Sequence, residues 1–199
     1  MAFIPPRVCL TFGLALLVLF SSCSLSPKPR KVFFVALGDF PDEAIDELVS
    51  HYEDKFSIRI EKLPRVPLDA SFVDRSRNQI VAEALIALLR EKSANLPSDP
   101  SPIVIGLTQE DIYIRKYTWR FAFNYREDDK FAVVSTARMD PINFGKAADE
   151  ALLSARLRKM ITKNIGILYF RKPLNNNPRS VLYGNVGGLE ELDAMSEEF

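Results

Sequence analysis

Two kinds of apolar spacing divide the chain into elements. Residues 31–37 (KVFFVAL) form an apolar run closed by Gly38, which predicts a buried strand. Over residues 41–54, Ala44, Ile45, Leu48, Val49 and Tyr52 recur at helical spacing, with Asp42 and Glu43 at the positive end of the helix. Phe56, Ile58 and Ile60 then alternate with polar residues, predicting a half-buried second strand broken by Pro64 and Pro67. Ser76 and Gln79 have capping-box spacing and predict a second helix through about Lys92, with Ile80, Val81, Ala84, Leu85, Leu88 and Leu89 as its stripe.

Residues 93–102 (SANLPSDPSP) read as a loop and residues 103–107 as a third buried strand. Residues 119–125 (WRFAFNY) and 131–136 (FAVVST) alternate on either side of the charged segment REDDK, which predicts an antiparallel hairpin. A last helix is predicted from about Lys146 to Ile165, stopped by Gly166, with short elements only over residues 167–199. The sum is a single α/β domain with a mixed sheet and flanking helices.

The first 23 residues have a different character. Arg7 precedes the 13-residue run Val8 to Phe20, which has the length of a signal-peptide core and is short for a membrane-spanning helix. Ser21, Ser22 and Cys23 follow, which resembles a bacterial lipobox, with Phe20 where that pattern prefers Leu. Residues 1–22 are therefore expected to be a signal peptide and residues 23–31 a lipidated Cys23 with a short Pro-rich tether. Residues 32–199 are expected to form the domain. The competing readings are an uncleaved anchor, or a secreted protein in which Cys23 carries no lipid. Ser24 supplies no acidic retention signal, which points to the outer membrane, with the domain facing the periplasm.

Composition then removes several chemistries. Lys+Arg and Asp+Glu are 26 each, so no nucleic-acid footprint is present. The two cysteines, Cys9 and Cys23, fall within the first 23 residues, so the domain can form neither a disulfide nor a thiolate metal site. His51 is the single histidine, which excludes multi-histidine zinc sites and reads as a surface or packing residue.

The order of the pieces resembles the archaemetzincins, a family of zinc metallopeptidases. The shared features span about Val32 to Tyr183. They are Gly38-Asp39-Phe40-Pro41 after the opening strand, Arg77-Asn78-Gln79, Gly106-Leu107-Thr108, Asp111-Ile112-Tyr113, the hairpin from Phe121 to Thr136, and the helix closing on Gly166. The family's motif is His-Glu-x-x-His-x-x-Gly-x-x-His followed by cysteines. Anchored on Gly166, this chain has Lys159 and Lys163 for two histidines, Met160 for the glutamate, Tyr169 for the third histidine and Phe170 for the first cysteine. Ser180-Val181-Leu182 is similar to the family's Cys-x-Met turn, after a longer spacer. The resemblance thus implies the fold without the peptidase machinery: no metal and no cofactor are expected.

Three groups of side chains stay open to a functional reading. Lys159 and Lys163, aligned with Ala151 and Ala155 and beside Arg156, are either an anion-binding patch in the former cleft or a solvated helix end. Asp39, Glu110 and Asp111 follow the first and third strands, where open α/β sheets place ligands. They are candidate ligands or counter-charges for the lysines, or else caps and turn residues. Tyr113, Tyr117, Trp119 and Phe121, interleaved with Arg115, Lys116 and Arg120, either pack the core and hairpin or form a peptide- or glycan-binding surface. The leading expectation is a membrane-tethered binding or scaffold module with an unknown protein, peptide or envelope partner. The alternative is a hydrolase, as an unconventional metallopeptidase or a carboxylate-based enzyme using Asp39, Glu110 and Asp111.

Overall fold

Strand β1 (Val32–Leu37) is buried along its whole length, because both its faces carry large apolar side chains. The structure, a computed structural model, describes residues 29–98 and 100–199; the expected signal peptide and Cys23 lie outside them. After β1 come α1 (Asp42–Phe56), β2 (Ile60–Val66), β3 (Val73–Asp74), β4 (Gln79–Val81), α2 (Ala82–Lys92), β5 (Ile103–Thr108) and β6 (Ile112–Tyr113). The chain continues through β7 (Asn124–Glu127), β8 (Phe131–Ser135), α3 (Glu150–Leu168) and α4 (Leu189–Ala194).

The main sheet has the order β2-β1-β5-β8-β7, and a small second sheet has the order β3-β4-β6. In the main sheet β1 runs parallel to both neighbours, β8 is parallel to β5, and β7 is antiparallel to β8. Helices cover both faces, as a mostly parallel sheet requires. Val32, Phe34 and Ala36 meet Ile45, Leu48 and Tyr52 of α1 and Leu157, Ile161 and Ile165 of α3. Phe33, Val35 and Leu37 meet Leu85, Ile86 and Leu89 of α2 on the opposite face. The Tyr52 hydroxyl ties α1 to α3 through Arg158 O at 2.7 Å and Thr162 Oγ1 at 3.0 Å. The single α/β domain with a mixed sheet is thus the observed architecture. Among the described residues no helix is long and apolar enough to cross a membrane.

Several boundaries differ from the sequence expectation, each for a physical reason. Phe56 ends α1 and Ser57 turns left-handed at φ 52°, so the second strand starts only at Ile60. It passes through Pro64, which an edge strand tolerates, and its register slips there between Val35 and Leu37 of the partner. Gln79, Ile80 and Val81 form a strand instead of opening a helix. Asp74 Oδ1 caps a turn by accepting from Ser76 N at 2.9 Å, and the Gln79 amide donates to Asp111 Oδ2 at 3.0 Å and to Arg120 O at 2.9 Å. The hairpin is displaced along the chain: Arg126 and Glu127 belong to β7, while only Ala122 of the preceding segment bridges, to Ile112. α3 starts at Glu150, where Asp149 accepts from Leu152 N at 2.9 Å, and it does not stop at Gly166. A Cβ on Gly166 would lie 3.2 Å from Leu182 Cδ2 and 3.3 Å from the Phe199 ring. That glycine serves close packing within the helix. Finally, Arg30 of the expected tether is bound to the domain, donating to Ser101 O, Leu168 O and Asp129 O at 2.7–2.9 Å.

Candidate functional site

Lys159 and Lys163 stand one turn apart on α3, yet their ammonium groups have different destinations. Lys159 Nζ donates to Leu192 O at 3.1 Å and Asp193 O at 2.8 Å, holding the C-terminal turn of α4. Burial lowers its pKa, opposed by the Asp193 charge. Lys163 is only 3% exposed and donates to the Tyr183 carbonyl. Burial, with the Arg126 charge second, pulls its pKa down to about 8.

Lys163 and Met160 line a cleft of about 660 Å³ between α3, the segment from Tyr117 through β7, and Gly184–Gly187. That volume lies within the ordinary range of ligand pockets. Among the described residues, three cations reach it, Arg120, Arg126 and Lys163, and no acidic side chain lines it. Arg126 comes from β7 with Asn124, two residues apart and so on one side of the strand, while Tyr125 packs against the α2 cluster. One Arg126 Nη donates to Asn124 Oδ1 at 2.9 Å and to Asn164 Oδ1 at 3.0 Å. Burial alone brings the guanidinium pKa down to about 10, so it stays charged at neutral pH. Tyr117 and Trp119 stack at 4.5 Å on the rim, and Trp119 is 56% exposed. The aromatic group of the sequence therefore divides. Tyr113 is buried, donates to Asp74 Oδ2 at 2.7 Å and lies under the Arg77 guanidinium, while Tyr117 and Trp119 face outward.

The three candidate carboxylates are not gathered into one group. Asp39 and Glu110 are exposed. Asp111 turns inward, accepting from Arg138 Nε at 2.9 Å and from Gln79, beside a second cavity of about 440 Å³ lined by Arg77, Arg120 and Arg138. Its charge is held by Arg138, so it is not the counter-charge of the lysines. For Lys159 that place is taken by Asp193 and the carbonyls of α4. His51 lies 3.5 Å from Glu197 at the surface of α1.

Comparison with solved structures defines the class of fold: it is that of the archaemetzincins. The structure is similar to archaemetzincin from Methanopyrus kandleri, with 26% identity, a TM-score of 0.66, and 88% of this chain and 92% of that chain covered. It is similar to archaemetzincin from Archaeoglobus fulgidus, complexed with malonate, at 21% identity and TM-score 0.66 over 85% and 95% of the two chains. A zinc-dependent peptidase from Methanocorpusculum labreanum matches at 21% identity and TM-score 0.68 over 84% and 95%. No family model and no curated protein matches the chain. The domain is thus metallopeptidase-like in fold.

The residues that the sequence resemblance assigns to the zinc motif do not fit a zinc ion. A catalytic zinc takes lone pairs from imidazole or carboxylate and keeps an open position for water. Here the two lysine nitrogens donate protons to backbone carbonyls, Met160 is packed into the core, and Tyr169 caps α3 against Phe170. Among the described residues no three His, Cys, Asp or Glu side chains are grouped so as to hold a metal. What sequence reasoning missed is Arg126, assigned to a turn. Carrying the alternation of Ala122 and Asn124 two residues further would have placed it in the strand.

Proposed function

We propose that the protein is a membrane-tethered, non-catalytic binding module built on the archaemetzincin-like fold. It is a lipoprotein anchored through Cys23, held at the outer membrane and facing the periplasm, and its cleft takes a peptide segment of an envelope partner. What supports this reading is that the two lysines which the sequence resemblance assigns to zinc-ligand positions are both engaged as donors, beside a cleft of ligand size. β7, the edge strand of the main sheet, runs along that cleft and offers backbone groups to an added strand, a recurring mode of peptide recognition.

The purified full chain is expected to hold far less than one zinc per molecule after dialysis against a weak chelator, and to leave peptide substrates intact. Elemental analysis and a peptide-cleavage assay check both. One equivalent of zinc, lost together with peptidase activity on strong chelation, would overturn the reading. The anchor is tested separately. Cys23→Ser should move the protein out of the membrane fraction and abolish labelling with a clickable palmitate analogue, whereas unchanged retention with unchanged labelling would exclude a lipid on Cys23.

A further inference from the structure

Three buried or partly buried arginines near the cleft and α3 have a carboxylate partner. Arg156 is paired with Asp193, Arg158 with Glu197 and Arg138 with Asp111. Arg126 and Lys163 have no carboxylate within 4 Å among the described residues, although both are withdrawn from water in the same cleft. Leaving two like charges desolvated and unmatched is costly, and such groups are ordinarily paired or neutralised. We infer that the floor of the cleft is a carboxylate-binding site, in which Arg126 and Lys163 together hold a carboxylate carried by a peptide. The inference rests on the reading of the cleft as a binding site and specifies what it binds.

The geometry of the donors favours this chemistry. Arg126 spends one Nη on Asn124 and Asn164, which fixes the plane of the guanidinium and leaves Nε and the other Nη free. Those two N–H groups form the fork that matches the two oxygens of a carboxylate. Lys163 uses one of its three donors on Tyr183 O, so the ammonium is held in place with protons to spare. Around this charged floor the walls are apolar and aromatic: Phe121, Met160, Leu174, and Trp119 stacked on Tyr117. A ligand that suits the whole cleft therefore carries one anionic group and apolar side chains. As the edge strand of the main sheet, β7 supplies the main-chain partners that make this ligand a peptide. A bound carboxylate also removes the mutual repulsion between Arg126 and Lys163, which lowers the lysine's pKa in its absence.

Trp119 is the only tryptophan of the chain and stands on the rim, so its fluorescence reports occupancy. The full chain, in detergent micelles, is titrated with three peptides: acetyl-Ala-Leu-Phe with a free terminal carboxylate, the same peptide as its terminal amide, and acetyl-Ala-Glu-Leu-Phe amide. Saturable binding of at least one carboxylate peptide, tenfold or more tighter than the neutral amide, is expected. Which of the two binds tells whether the chain terminus or an acidic side chain is the source. Arg126→Gln and Lys163→Met should each weaken that binding at least tenfold, and Arg126→Lys should restore part of it. Circular dichroism and melting curves certify the fold of each variant. Equal binding of all three peptides, binding unchanged in the folded variants, or the absence of saturable binding would overturn the carboxylate site. So would displacement of the peptide by millimolar inorganic phosphate, which would mark a general anion site. The zinc and cleavage measurements decide the non-catalytic reading independently of these outcomes.

Discussion

Asp193→Ala is expected to lower the stability of the full chain by about 2–3 kcal/mol in urea unfolding at neutral pH. Arg156 is 7% exposed and makes two parallel bonds to Asp193, 2.7 Å each, with a third to Met139 O. Removing the carboxylate leaves a buried guanidinium with one carbonyl for company, the situation that is most damaging for an ion pair. The figure sits below the full value for a buried pair because Asp193 itself is 40% exposed, and water screens part of the loss. Asp193→Asn keeps one acceptor and should cost less than half as much. The Arg156 guanidinium holds the Asp193 carboxyl below its ordinary value. The stabilisation is therefore present above the unfolded pKa near 3.8 and lost as pH falls through the lower folded one. An Asp193→Ala variant within 0.5 kcal/mol of the parent would show that α4 is not held by this pair. More than one helix is involved, since Lys159 holds the end of α4 and Leu192 is fully buried beneath it.

How far the sequence carried depends on the kind of signal. β1 and β5 were legible because a short apolar run bounded by Gly or Pro has few other uses in a chain of this composition. α1 was legible from its stripe, and the archaemetzincin-like order of pieces from weak motifs taken together. The start of α2 was not, because Ser76 and Gln79 meet the capping rule locally while their bonds go elsewhere. Gln79 is claimed by Asp111 and Arg120, which are distant in sequence. Gly166 misled for a related reason, its small size being needed by Leu182 and Phe199 across the packing interface. The site was half legible. Lys159, Met160, Lys163 and Tyr169 were singled out through the archaemetzincin resemblance anchored on Gly166, whereas the parting of the two lysines depends on α4 and on the Tyr183 carbonyl. Nothing local to residues 159–163 encodes either. Arg126 was hidden by its neighbours, since a charged run such as REDDK reads as solvent-facing until the strand's alternation is followed into it.

Lys163→Met should raise stability at pH 7 by about 1–2 kcal/mol, an unusual direction for a buried position. The lysine's pKa is about 8 in the fold against 10.5 unfolded. Below pH 8 both states carry the proton, and the fold bears the full cost of a desolvated charge facing Arg126, at most about 3 kcal/mol. Between pH 8 and 10.5 the folded state has released the proton while the unfolded state keeps it, so the unfolded state binds more protons and stability rises with pH. Methionine has nearly the same volume and no charge, so it relieves the cost. It also leaves the Tyr183 carbonyl without its donor, and that loss reduces the net gain by about 1 kcal/mol. The advantage of the variant should therefore be largest at pH 7, shrink through pH 8.5 and 10, and vanish or reverse above that. Urea midpoints of parent and variant at those three pH values check the sign. A difference that does not change with pH, or a parent more stable at pH 7, would show that the ammonium is already compensated within the fold. The expected outcome says more than a stability value. A fold that a single neutral substitution would improve is carrying a charge for use elsewhere, in the way binding sites trade stability for function. The same peptide carboxylate that binds between Arg126 and Lys163 should then raise the parent's midpoint and leave that of Lys163→Met nearly unmoved.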